Sequence, residues 1–138
     1  MPKMIGNSPI LLIVDDDDLV LSGLQVFFSA TGYETLASRT LSETLRVCQR
    51  FEITPAIAIL NYHLNDGLSF DERIALFTAQ FPDVPVTVLT GDTSQQTAAI
   101  VRNSGFRLLL KPVAPLDILN YVRGVVDFGT IEDQANRH

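Results

Sequence analysis

Five positions carry side chains that could do chemistry together. They are Asp15 and Asp16, then Asn61, Thr90 and Lys111. The adjacent acids offer the oxygen ligands that a hard divalent cation prefers. A hydroxyl and an ammonium suit the binding of anionic oxygens. The odd member is Asn61, an amide where a third carboxylate would complete the set. Four of the five directly follow, or end, a short apolar run, with Asp16 next to Asp15: "ILLIV" before Asp15, "AIAIL" before Asn61, "VTVLT" ending in Thr90 and "FRLLL" before Lys111.

Runs this short and this apolar predict strands buried on both faces. "YETLA", Tyr33 to Ala37, predicts a weaker, edge-type strand that offers only Ser38 at its end. Helical patterns lie between the strands. Leu19, Val20, Leu24, Phe27 and Phe28 fall at helical spacing, with Gly32 as the stop. "TLSE" from Thr40 and "SFDE" from Ser69 both match the capping-box pattern. Ser94 to Asn103 predicts a further helix closed by Gly105, and Pro115 opens a last one through Asp127. Strand then helix, five times over, predicts an α/β fold: a five-stranded parallel sheet, doubly wound as (βα)5. In such a sheet the chemistry collects at the carboxyl ends of the strands.

The composition narrows the function classes. The chain has 138 residues, 46% of them hydrophobic, enough for one globular domain with a real core. A net charge of −6 argues against a nucleic-acid surface, since phosphate backbones want Lys and Arg. No apolar run approaches membrane-spanning length, and "MPKMIGNSP" lacks the apolar core of a signal peptide. Cys48 is the only cysteine, so no disulfide framework exists, and a cytoplasmic setting is compatible. Its place in a helical pattern reads as packing. The expected organisation is an N-terminal extension over 1–9, one domain over 10–127 and a polar, frayed tail over 128–138.

Four motifs in order, "LLIVDDD", "ILNYHLNDG", "VTVLTGD" and "LLLKPV", resemble the receiver domain of bacterial two-component response regulators. The likeness runs from about Ile10 to Asp127. It implies a flavodoxin-like strand order 2-1-3-4-5 and a phosphorylation switch. By resemblance, residue 61 is the phosphoacceptor position. Asp15 and Asp16 hold Mg²⁺ with the backbone carbonyl of His63, and Thr90 and Lys111 bind phosphoryl oxygens. The Lys111–Pro112 bond is expected to be cis, an isomer accessible before proline. The implied partners are a sensor histidine kinase or a phosphotransfer protein. The face of the fourth helix, fifth strand and fifth helix, with Ile100, Val101, Arg107 and Tyr121, is the implied protein-docking surface. "GDTS" followed by "GFRLLLKPVAP" is also similar to receivers fused to hybrid sensor kinases.

Two positions depart from the family pattern. An aspartate nucleophile works because its carboxylate is anionic at neutral pH; Asn61 has no such oxygen, so ordinary aspartyl phosphorylation is not expected. Asp15, Asp16 and Lys111 leave a formal charge of −1 where an aspartate at 61 would make −2, so Mg²⁺ should bind weakly, with Asn61 a weak oxygen ligand. Leu108 replaces the aromatic that often couples to the hydroxyl residue. Asn61 fits a natural degenerate receiver, a substitution introduced to trap the unphosphorylated state, or a structural amide pairing with Asp15 or Lys111. The sequence leaves these open.

Other readings compete. Asp17 and Asp18 suit a helix N-terminus. Asp66-Gly67 suits a turn, the His63 side chain an exposed loop, and Asp92 is a poor substitute acceptor. A phosphorylation-independent pseudo-receiver scaffold is the first alternative function. A Mg²⁺-dependent haloacid-dehalogenase-type phosphatase is the second: Asp15, Asp17, Thr90 and Lys111 match its order, but no acidic strand motif follows the lysine. The leading expectation is a signalling module rather than an enzyme.

Overall fold

The computed structural model describes residues 9–136, with side chains through residue 126. Five strands alternate with five helices. The strands are β1 (Ile10–Val14), β2 (Glu34–Ser38), β3 (Ile57–Asn61), β4 (Val86–Thr90) and β5 (Arg107–Leu110). The helices are α1 (Asp18–Ala30), α2 (Leu41–Arg50), α3 (Phe70–Gln80), α4 (Gln95–Asn103) and α5 (Pro115–Asn136). All pairings are parallel and the order is β2-β1-β3-β4-β5. The doubly wound α/β expectation and its strand order therefore hold.

Alternation along the strands divides the core in two. Leu12, Val14, Ala58, Leu60, Val86 and Val88 point to one face and pack with Leu41, Leu45, Phe77 and Val101. Leu11, Ile13, Ile57, Ile59 and Leu89 point to the other and pack with Leu24, Phe28, Ile118 and Val122. Successive strand residues face opposite sides, so a strand covered on both faces must be apolar throughout. β1, β3 and β4 are buried at every residue, whereas β2 and β5 are partly exposed. Those two are the sheet's edges, as the weak "YETLA" pattern implied for β2.

The helix boundaries follow local chemistry. Asp17 caps α1 by accepting from the amides of Leu19 and Val20. Ser69 and Glu72 form the reciprocal capping box of α3, at 3.1 and 3.0 Å. Thr40 caps α2 through its hydroxyl, which accepts from the Glu43 amide. Gly32 and Gly105 follow α1 and α4 with φ of 95° and 80°, a left-handed backbone that side chains with a Cβ resist.

Three expectations need correction. Leu19, placed on the apolar stripe of α1, is 86% exposed; Leu21 takes the buried position instead. Val101, placed on a docking surface, is fully buried in the core, because it lies on the inner face of α4 under β5. The last helix passes Asp127 and continues to Asn136; "TIEDQAN" holds no proline to stop it. Most of the expected N-terminal extension and the end of the tail, residues 1–8 and 137–138, lie outside the described residues. Among the described residues, no helix is long and apolar enough to cross a membrane.

Candidate functional site

The carboxyl edge of the sheet is where β1, β3, β4 and β5 end side by side. Val14 pairs in register with Leu60, Asn61 with Leu89, and Thr90 with Leu110. Residues 15, 61, 90 and 111 therefore issue from neighbouring strand ends.

Asp15 is buried, and each oxygen of its carboxylate accepts one hydrogen bond. Oδ2 accepts from Lys111 Nζ at 2.8 Å and Oδ1 from the Asp17 amide at 3.0 Å. The Lys111 side chain keeps 27% of its surface in water, so it enters the site from the rim. Its backbone amide donates to the Thr90 carbonyl at 2.7 Å, which ties the β5 end to the β4 end. The Lys111–Pro112 peptide is cis. Asp16 is half-buried in the β1–α1 loop beside this pair.

Asn61 closes β3 and is 9% exposed. Its Nδ2 donates to the His63 carbonyl at 2.8 Å. The amide thus bonds within its own loop rather than to Asp15 or Lys111, the pairing expected of a structural amide. Thr90 is fully buried, and its hydroxyl accepts from the Asp92 amide at 3.0 Å. Asp92 in turn accepts from the Thr97 hydroxyl at 2.7 Å and the Ser94 amide at 2.8 Å. Those bonds, Thr97's first, hold the Asp92 carboxyl down to about 2. His63 Nε2 stands 3.8 Å from Asp92 Oδ2, across the mouth between the two loops.

The structure thus joins Asp15 to Lys111 and residue 61 to the His63 carbonyl, with Thr90 beside them in the sheet. Asp17 caps α1 through Oδ1, the helix-terminal role expected of it. Burial pushes the Cys48 thiol up to about 11, consistent with packing. Leu108 packs against the core cluster on the α4 side of the sheet.

Two residues of the site's surroundings are not legible as such in the motifs. Asp66 is more than a turn residue. Its Oδ1 accepts from the Leu68 amide, in the manner of a turn, but also from Arg73 at 3.0 Å. Both side chains are almost fully buried, at 4% and 6% exposure. The signal lay in α3, where Arg73 falls on the same stripe as Phe70 and Phe77. A charge on an apolar stripe requires a buried partner.

The donor set suits a hard cation in type. Two adjacent carboxylates, the His63 carbonyl and the amide oxygen of residue 61 offer oxygen donors only, with no thiolate or imidazole on the strand ends. In charge it is poor: Asp15 already balances Lys111, and the Asn61 amide nitrogen occupies the His63 carbonyl. Among the described residues, no three His, Cys, Asp or Glu side chains gather closely enough to hold a metal.

Comparison with known proteins agrees with this architecture. Residues 11–123 match the model of the response regulator receiver domain. The photosynthetic apparatus regulatory protein RegA of Rhodobacter capsulatus is 31% identical over 117 residues, covering 84% of this chain and 62% of the relative. The CAI-1 autoinducer sensor kinase/phosphatase CqsS of Vibrio cholerae is 25% identical over 109 residues, covering 79% of this chain but 16% of the relative. The chain therefore spans less than two thirds of these relatives. Among solved structures, a CheY-like receiver domain protein from Methanospirillum hungatei superposes with a TM-score of 0.80 at 24% identity, covering 91% of this chain and 99% of that one. A receiver domain protein from Clostridium thermocellum gives 0.77 at 20% identity, covering 89% and 98%. With the family match spanning most of its length and the strand order to go with it, this chain belongs to the response regulator receiver domain family of two-component signalling.

Proposed function

We propose that this chain is a receiver whose acceptor position is silent, so that it signals through a fixed surface rather than through an aspartyl phosphate. One observation carries the reading. Asn61 stands at the end of the central strand, where its amide donates to the His63 carbonyl and offers no anionic oxygen. Attack on phosphorus needs an anionic nucleophile, and an amide oxygen would give an unstable imidate.

The remaining residues keep roles they could perform. Asp15, Asp16 and the His63 carbonyl would hold Mg²⁺, with Asn61 a weak further ligand; such an ion would supply positive charge for phosphoryl oxygens. Lys111 and the Thr90 hydroxyl would bind those oxygens. In this chain Lys111 instead neutralises Asp15, and Thr90 anchors the β4–α4 loop through Asp92.

Receiver domains interact with histidine kinases or phosphotransfer proteins, and this chain's partner is of that class in our reading. A protein would dock on the α4–β5–α5 face through Ile100, Arg107 and Tyr121, where the Arg107 guanidinium lies 5.4 Å over the Tyr121 ring. Without a phosphoryl group the conformational population is set by sequence and partner alone, because a ligand shifts it only by differential affinity. The setting is cytoplasmic in this reading, the compartment where kinase and receiver meet.

The test is incubation of the chain and of Asn61→Asp with acetyl phosphate and Mg²⁺, read by intact mass. Labelling of the Asp variant alone is expected. Labelling of the unaltered chain would overturn the acceptor assignment. Labelling of neither would show that the pocket has lost more than its nucleophile.

A further inference from the structure

The β3–α3 loop, residues 62–69, is held from beneath by one side chain. Arg73 rises from the first turns of α3 with its guanidinium buried. One terminal nitrogen donates to the Asp66 carboxylate at 3.0 Å and to the Leu68 carbonyl at 2.7 Å; the other donates to the Tyr62 carbonyl. Three points of the loop thus converge on one planar fork. The Tyr62 ring is fixed independently by stacking on Phe70, centroids 4.7 Å apart.

Tyr62 lies between the two partners of the site's hydrogen bond, Asn61 and the His63 carbonyl. Holding the Tyr62 carbonyl fixes the peptide plane that leads into His63. Holding Leu68 and Asp66 fixes the return of the loop to α3. The His63 side chain adds only a weak hold of its own: it is 67% exposed, with Nε2 3.8 Å from Asp92 and its ring edge-on to Tyr62.

We propose that Arg73 is the positioning residue of this loop, and that its buried fork aims the His63 carbonyl at residue 61. Asp66 orients the fork and balances its charge. A lone guanidinium there would be an uncompensated buried charge, which proteins avoid. Arginine fits because its fixed fork reaches three acceptors at once, which a lysine's point charge does not. The consequence for a metal, that Arg73 sets one ligand of the Mg²⁺ site, rests on the acceptor reading above. The consequence for Asn61 does not.

The experiment uses the unaltered chain labelled with ¹⁵N and follows hydrogen exchange of the Asn61 side-chain amide by NMR. That signal reports the His63 carbonyl directly. Arg73→Lys keeps the charge opposite Asp66 and loses the fork. The pair Arg73→Met with Asp66→Leu removes both charges, so no unpaired ion is left to unfold the chain. In each variant, exchange of the Asn61 amide should quicken by roughly fivefold or more, the equivalent of one hydrogen bond. Core amides such as those of Leu12 and Ile59 should quicken less. An Asn61 signal that keeps its protection in Arg73→Lys overturns the proposal. So does equal quickening at Asn61 and in the core, which marks Arg73 as structural only. Labelling of the unaltered chain by acetyl phosphate would sink the acceptor reading and leave this result untouched.

Discussion

Lys111 Nζ meets Asp15 Oδ2 at 2.8 Å across 96 residues of chain, joining the first strand end to the last. The acid is buried and the lysine is partly in water. The pair therefore closes the site internally and also ties the end of β5, an edge strand, to the end of the interior strand β1. Removing one partner differs from removing both.

Lys111→Met leaves Asp15 buried and unpaired. A fully buried broken pair costs 3–5 kcal/mol in general; the hydrated lysine here reduces this to about 2 kcal/mol. Urea unfolding should show that loss. The double variant Asp15→Asn with Lys111→Met should recover most of it. Equal destabilisation by the single and double variants would mean that the ion pair contributes nothing beyond packing.

The strand ends were legible because burial on two faces forces continuous apolar runs, and the first polar residue after each run marks the edge. Asp15, Asn61, Thr90 and Lys111 followed from that rule alone. Leu19 was misplaced: it lies about 140° around the helix from Leu24 and nearly opposite Leu21, off the buried stripe of Leu21, Leu24 and Phe28, so it faces water and is 86% exposed. The Arg73–Asp66 pair was hidden for a different reason. Asp66-Gly67 satisfies turn chemistry by itself, with Gly67 at φ 78° and the Leu68 amide on Asp66, so the sequence gives no second reason to look there. Only the placement of Arg73 between Phe70 and Phe77 on α3 betrays it.

The capping box of α3 starts the helix that carries Arg73. Ser69 accepts from the Glu72 amide, and Glu72 accepts from the Ser69 amide, which holds the Glu72 carboxyl below its usual range. Ser69→Ala should destabilise the domain by about 1 kcal/mol. Circular dichroism melting reads the change, and Ser69→Thr should restore most of it. No shift in Ser69→Ala would place the α3 start under tertiary control rather than local capping.

Acid stability should carry the mark of Asp92. Bonds from Thr97 and Ser94 lower its carboxyl from 3.8 to about 2 in the folded protein. The unfolded chain therefore takes up the proton first as pH falls. The contribution is complete above about pH 4 and is lost as pH drops through about 2. Denaturation midpoints followed between about pH 5 and pH 2 should show the gap between the unaltered chain and Asp92→Asn narrowing with acid. A gap that stays constant over that range would mean that the Asp92 charge plays no part.

Metal affinity should depend on the charge at position 61 more than on its shape. Aspartate and asparagine are nearly isosteric, so Asn61→Asp changes the formal charge of the cluster from −1 to −2 with little change in volume. A unit charge about 4 Å from another is worth about 1 kcal/mol in water, hence about 2 kcal/mol against a divalent ion. The substitution also removes the amide donor that now occupies the His63 carbonyl. Mg²⁺ should accordingly bind the Asp variant roughly thirtyfold more tightly, by isothermal titration. The ratio should shrink as salt is raised, because part of the site lies open to solvent. Equal affinities would mean that a bound metal sits away from residue 61.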